Sequence, residues 1–120
     1  MLDKINHLFR RRILNTLKFS CDGLLSAWKS EEAIRIEVLL LPLVIVGAYY
    51  FGSTKVEQIL MVSSAVLIVI VELLNTAIEK TIDRISAEQH PLSKTVKDVG
   101  SSAVLLAIIN FVFTCVVLVF

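Results

Sequence analysis

The final 22 residues of the chain, 99–120, read VGSSAVLLAIINFVFTCVVLVF and contain no charged side chain. A helix needs about 20 consecutive apolar residues to cross roughly 30 Å of hydrocarbon, so this run is long enough to span a bilayer. The whole chain of 120 residues is 56% hydrophobic, whereas a soluble domain is about 45–50% apolar. The sequence therefore predicts an integral membrane protein.

Two further apolar runs predict additional transmembrane helices. The first covers 38–52 and extends backwards to about 33, and the second covers 58–78, interrupted by Glu72 and Asn75. We predict spans over about 33–52, 57–79 and 99–120. The short link near 52–55 predicts that the first two helices are antiparallel neighbours. Pro42 lies inside the first span, a position that membrane helices tolerate.

The distribution of Lys and Arg predicts the orientation of these spans. Seven of these residues precede the apolar run that begins at 38 and four lie between the second and third spans, whereas the 52–57 link contains only Lys55. Loops rich in Lys and Arg stay in the cytoplasm. We therefore expect a cytoplasmic N-terminus, a cytoplasmic 80–98 loop and an outward-facing C-terminus.

Residues 1–30 have the pattern of an amphipathic helix, with Gly23 as a potential break. Apolar side chains recur every three or four positions, and most bases lie off that stripe, which consists of Leu2, Ile5, Phe9, Ile13, Leu17, Cys21, Leu24 and Trp28. Such a helix either lies in the membrane interface as an anchor or forms one wall of a polyphosphate site. The pattern does not form a basic surface interleaved with aromatic residues, so we expect no nucleic-acid partner.

The second span carries polar side chains on one face. Glu72, Asn75, Thr76 and Glu79 follow the i, i+3, i+4, i+7 spacing of a single helix face. At 1.5 Å per residue, Glu79 lies about 10 Å along the axis from Glu72. We expect Glu79 at the cytoplasmic boundary and Glu72 beneath it. Ionisable residues at that depth are expensive, so they indicate function or pairing.

Two interpretations of this face remain open. A structural one is a polar seam that joins helices through hydrogen bonds, with Asn75 and Ser64 contributing. A chemical one uses Glu72 as a general base and Glu79 with Mg²⁺, which prefers one or two carboxylates together with phosphate oxygens. The chemical interpretation suits a reaction between a lipid hydroxyl and a water-soluble phosphate donor. Asp83, in contrast, is expected to pair with a loop base such as Arg84.

Other protein classes share some of these features. A small proton-coupled transporter also keeps a carboxylate in the membrane, and a small structural subunit has a comparable length. The sequence contains no Walker A motif, kinase Gly-rich loop or Rossmann fingerprint. Any nucleotide site must therefore be of an unusual type.

Three segments resemble a known family: GLLSAWKSEEAIRIE (23–37), VELLNTAIEKTIDRIS (71–86) and LSKTVKDVGSSAVLLAI (92–108). They are similar to the bacterial integral-membrane diacylglycerol kinases, from about Arg12 to the C-terminus. The resemblance implies an all-α homotrimer in the bacterial inner membrane, each protomer having a surface helix and three transmembrane helices in one domain, 1–120. It also implies transfer of the ATP γ-phosphate to diacylglycerol, giving phosphatidate, at sites shared between protomers.

The resemblance also implies roles for individual residues. Glu72 would be the general base with Asn75 beside it, and Glu31 and Glu79 would bind Mg²⁺. The positions matching ATP-binding residues are Arg12, Phe19, Glu31, Glu79, Glu88, Gln89, His90, Lys97 and Asp98. The positions matching lipid-binding residues are Arg12, Leu25, Trp28, Ala33, Arg35, Glu37, Glu72 and Ser101.

The chain departs from the family pattern at a few positions. Phe19 stands where Tyr is common, which removes a hydroxyl, and Glu32 replaces a usually small residue beside Glu31. The string HPLSK (90–94) is closer to the Gram-positive branch, which resembles undecaprenol kinases, whereas DRIS and GSSAV favour the diacylglycerol branch. Undecaprenol is therefore the alternative lipid substrate.

Overall fold

A computed structural model describes residues 1–85 and 87–120, and in these residues the chain forms four helices: α1 (Leu2–Ser30), α2 (Glu32–Phe51), α3 (Lys55–Ile85) and α4 (Pro91–Val119). The chain divides into two compact units, Met1–Glu32 and Ala33–Phe120. In the described residues, three of the helices (α2, α3 and α4) are long and apolar enough to cross a membrane. The predicted all-α fold with three candidate spans is therefore confirmed.

The first unit consists of α1 and the residues that end it. Asp3 lies in the first turn and Lys29 in the last, where each complements the helix dipole. The helix continues through Gly23, so the potential break there is not observed. A single glycine costs about 1 kcal/mol in a helix, which a helix of 29 residues tolerates. Glu31 ends α1 in an extended conformation, and its N–H donates to the Ala27 carbonyl at 2.8 Å.

A tight link joins α2 to α3. The Gly52 N–H donates to the Ala48 carbonyl at 2.9 Å, and the Gly52 carbonyl accepts from Gln58 Nε2 at 3.1 Å. A Cβ at position 52 would lie 2.7 Å from both the Ala48 oxygen and Gln58 Cγ. This turn therefore requires glycine, and it makes the predicted short link possible.

The start of α3 is fixed by a capping box. The Glu57 N–H donates to Thr54 Oγ1 at 3.2 Å, and Glu57 Oε2 accepts from the Thr54 N–H at 3.3 Å and from the Ser53 N–H at 2.6 Å. These reciprocal bonds satisfy backbone donors that the first helical turn leaves without partners. The sequence TKVE thus begins the helix that carries the polar face.

The closest helix packing in the second unit is between α3 and α4. His90 caps α4, because its Nδ1 accepts from the Leu92 N–H at 3.1 Å, and Pro91 occupies the first turn. Small residues let helices in a membrane approach closely, and those buried on these two helices include Ser64, Ala65, Gly100 and Ala107. Many larger apolar side chains on both helices point outward, where lipid or another protein can cover them.

Candidate active site

The predicted polar face of α3 is present. Asn75 and Thr76 are buried, and Glu72 and Glu79 are half-buried. Asn75 Nδ2 donates to Glu79 Oε1 at 3.3 Å, so a hydrogen bond connects these two side chains. Seven residues of helix place Glu72 about 10 Å further along the axis. The α3 helix therefore carries polar groups at two positions along its axis, Glu72 at one and the Asn75–Glu79 pair at the other.

A second carboxylate approaches Glu72 from α2. Glu37 is close enough to Glu72 for their charges to interact. One of its oxygens, Oε2, is buried and has no hydrogen-bond partner within the part of the chain that the structure describes. Buried polar atoms are normally hydrogen-bonded, so this oxygen is available to a donor that the chain does not supply.

A cavity lies where α3 ends and α4 begins. Its volume is about 840 Å³, within the range of about 300–1,000 Å³ that is typical of small-molecule sites. It is lined by Ile82, Asp83, Ala87, Glu88, Gln89, His90, Pro91, Ser93, Lys94, Lys97 and Asp98. We call it the α3–α4 cavity. The structure thus gathers five of the predicted ATP-binding residues: Glu88, Gln89, His90, Lys97 and Asp98.

Four charged side chains of this cavity form two ion pairs. Lys97 Nζ lies 2.7 Å from Asp83 Oδ1, and Lys94 forms an ion pair with Asp98 one helical turn away. Lys97 is also close enough to Glu79 for their charges to interact, which connects the cavity to the polar face of α3. The cavity wall therefore carries two ammonium groups, each beside a carboxylate.

Asp83 pairs with a different base from the one expected. The sequence predicts a loop base such as Arg84, whereas in the structure the partner is Lys97, which lies in α4. The two residues are 14 positions apart and meet because the chain reverses between α3 and α4. Asp83 consequently lines the α3–α4 cavity, as does Lys94, which is not among the predicted site residues.

The remaining predicted site residues are placed as follows. The first unit contains Glu31, whose Oε1 accepts from Ser30 Oγ at 3.1 Å, and four exposed residues of α1: Arg12, Phe19, Leu25 and Trp28. In the second unit, Ala33 and Arg35 lie in the first turn of α2, and Ser101 lies exposed on α4. Each of these assignments stays a prediction.

Comparison with known proteins places these features in a family context. A family model described as prokaryotic diacylglycerol kinase matches residues 18–119. A diacylglycerol kinase of Haemophilus influenzae is 45% identical over 96 residues, covering 80% of this chain and 81% of the relative. The diacylglycerol kinase of Pseudomonas aeruginosa is 46% identical over 98 residues (82% and 80%). That of Escherichia coli K12 is 44% identical over 108 residues (89% and 88%).

Proposed function

The chain belongs to the prokaryotic diacylglycerol kinase family, and from that premise we propose that it phosphorylates diacylglycerol at the cytoplasmic face of a bacterial inner membrane. Family membership makes the chain a lipid kinase that uses ATP as co-substrate. It also sets aside the transporter and structural-subunit alternatives. The product of the proposed reaction is phosphatidate.

The observation that carries this proposal is the polar face of α3. Glu72 lies on the apolar part of that helix, and Glu79, about 10 Å away along the axis, interacts with Lys97 of the α3–α4 cavity. A lipid hydroxyl reaches Glu72 from the bilayer, and a nucleotide reaches Glu79 from the water. The buried Glu37 Oε2 without a partner in the described chain supports the lipid side, because a hydroxyl is a donor.

The reaction needs little covalent chemistry from the protein. The Glu72 carboxylate accepts the proton of the lipid hydroxyl, whose oxygen forms a bond to the γ-phosphorus of ATP. The bond from that phosphorus to the β,γ-bridging oxygen breaks, and ADP leaves. Such transfers depend on positioning and on charge neutralisation, which the Lys97 ammonium provides at the cavity wall.

The residues at this site fit Mg²⁺. Within 1–85 and 87–120 there is no group of three or more His, Cys, Asp or Glu side chains that could enclose a metal ion. Mg²⁺ does not require one, because it binds through one or two carboxylates, phosphate oxygens and water. Glu79 offers a carboxylate already oriented by Asn75, and the resemblance implies Glu31 as a second ligand. Bound Mg²⁺ would neutralise phosphate charge.

The proposed assembly is a homotrimer in which 1–120 forms a single domain. Its support is the apolar surface that α2, α3 and α4 leave exposed, together with the sharing of sites between protomers that the resemblance implies. We assign α1 to the membrane interface, because its apolar side chains, such as Phe9 and Leu17, are exposed while bases occupy other positions. The N-terminus is then cytoplasmic, by the positive-inside rule.

The test is a side-by-side assay of two lipids. Purified protein in mixed micelles receives radiolabelled ATP and Mg²⁺ with either diacylglycerol or undecaprenol, and micelles without protein are the control. We expect label in phosphatidate. Label in undecaprenyl phosphate alone selects the alternative that the HPLSK string favours. Label in neither lipid contradicts the proposed function.

A further inference from the structure

Gly100 makes an unusually close contact with Asn75. It lies buried on α4, opposite the polar face of α3. A Cβ built on Gly100 would lie 2.2 Å from Asn75 Oδ1 and 3.3 Å from Asn75 Cγ. Among the described residues, and leaving aside neighbouring backbone of its own helix, nothing else comes within 4 Å. The missing side chain of Gly100 therefore makes room for the Asn75 carboxamide alone.

The two polar atoms of the Asn75 carboxamide have different surroundings. Its nitrogen donates to Glu79 Oε1 at 3.3 Å, while its oxygen is buried and has no hydrogen-bond partner in the described chain. That oxygen faces the Gly100 backbone, where a Cα–H offers at most a weak contact. The reverse orientation would turn the oxygen towards the Glu79 carboxylate, which only accepts hydrogen bonds. The observed orientation is thus the one in which the carboxamide can donate a hydrogen bond to Glu79.

Leaving a carbonyl oxygen without a partner is unfavourable, so the arrangement needs a reason. The nitrogen of the carboxamide donates to Glu79, a carboxylate of the α3 polar face whose charge interacts with Lys97 of the α3–α4 cavity. Gly100 has no side chain, and the Asn75 oxygen occupies the space that a Cβ at position 100 would need. The orientation that leaves the Asn75 oxygen without a partner is therefore the one in which the Asn75 nitrogen donates to Glu79.

We propose that Gly100 is a positioning residue of the kinase site: its lack of a side chain orients Asn75, and through Asn75 the Glu79 carboxylate that receives the metal–nucleotide complex. This inference rests on the proposed function, because only that function makes Glu79 a ligand of the metal–nucleotide complex. Gly100 itself touches neither substrate nor metal. Its effect on the site passes through the Asn75 carboxamide.

The substitution Gly100→Ala tests the proposal, with Gly47→Ala as its matched control. Gly47 is also helical, but a Cβ built there meets no atom of the described chain within 4 Å. Gly100→Ala displaces the carboxamide and removes its bond to Glu79. A hydrogen bond to a charged group changes an equilibrium by about tenfold or more. We therefore expect KM for Mg–ATP to rise by about tenfold in Gly100→Ala and to stay unchanged in Gly47→Ala.

Binding is measured separately from catalysis. Mn²⁺–ATP is titrated into detergent-solubilised protein without lipid and followed by electron paramagnetic resonance. We expect the affinity to fall by about the same factor in Gly100→Ala and to be kept in Gly47→Ala. If the wild type binds Mn²⁺–ATP and phosphorylates lipid but Gly100→Ala matches it in both assays, the proposal is wrong and the function stands. If the wild type does neither, the function and this proposal fail together.

A double variant separates positioning from helix packing. Asn75→Ala removes Oδ1 and Cγ, the two atoms that a Cβ at position 100 would contact. In that background the Cβ added by Gly100→Ala has open space. We expect the second substitution to change Mn²⁺–ATP affinity and thermal unfolding little in that background. Should Gly100→Ala alone fail to fold, recovery of folding in the double variant supports the contact with Asn75. A double variant that also fails shows that Gly100 serves packing alone, which overturns the proposal.

Discussion

Lys97 Nζ lies 2.7 Å from Asp83 Oδ1, across the chain reversal that joins α3 to α4. Both side chains are well exposed, by 42% and 66%, and exposed ion pairs contribute about 0–1 kcal/mol to stability. We therefore predict that Lys97→Met hardly changes thermal unfolding but raises KM for ATP by about tenfold or more, because a charge-assisted bond to phosphate is lost. Steady-state kinetics at saturating lipid measure this effect.

The control for that variant is Lys55→Met. Lys55 is the first residue of α3, at the end remote from the α3–α4 cavity. Its substitution therefore removes the same charge away from that cavity. Its KM for ATP should equal that of the wild type. Equal KM values for Lys97→Met and Lys55→Met would remove Lys97 from the nucleotide site.

Glu79→Gln tests the proposed metal ligand. The amide keeps the size of the side chain but loses the negative charge that attracts a hard cation. We expect the Mg²⁺ concentration for half-maximal activity to rise by about tenfold or more, the scale of losses at metal sites. Activity is titrated with Mg²⁺ at fixed ATP. An unchanged titration curve would count against Glu79 as a ligand.

Thr54→Ala tests the capping box at the start of α3. The substitution removes the oxygen that accepts from the Glu57 N–H, and loss of such a cap costs about 1 kcal/mol of stability. We predict a lower unfolding temperature in detergent with kcat and KM unchanged, since the cap lies at the end of α3 remote from Glu79. A variant that loses activity while keeping its unfolding temperature would contradict a purely structural role.

Local patterns predicted much of this fold. The uncharged run in 99–120 and the two shorter runs correspond to helices that can cross a membrane. The spacing of Asn75 and Glu79 correctly predicted a shared face, because helix periodicity alone determines it. The string TKVE also carries the pattern of the capping box that Thr54 and Glu57 form.

Contacts between helices were not predictable in the same way. The Lys97–Asp83 pair depends on how the chain reverses after α3, and the approach of Glu37 to Glu72 depends on the placement of α2. Gly100 appears in the sequence as one small residue within a family-specific string. Only the packing of α4 on α3 shows that its missing side chain accommodates the Asn75 oxygen.

Glu72 is the residue proposed to accept the proton of the lipid hydroxyl. Glu72→Gln keeps the shape of the side chain but cannot take that proton, and general-base catalysis contributes about 10²–10⁴ in rate. Its kcat at saturating diacylglycerol and Mg–ATP is compared with those of the wild type and of Asp22→Asn, a carboxylate change on α1. We predict a loss of at least about 10² in kcat for Glu72→Gln alone, with Mn²⁺–ATP affinity kept. A Glu72→Gln variant with wild-type kcat would contradict the role proposed for Glu72.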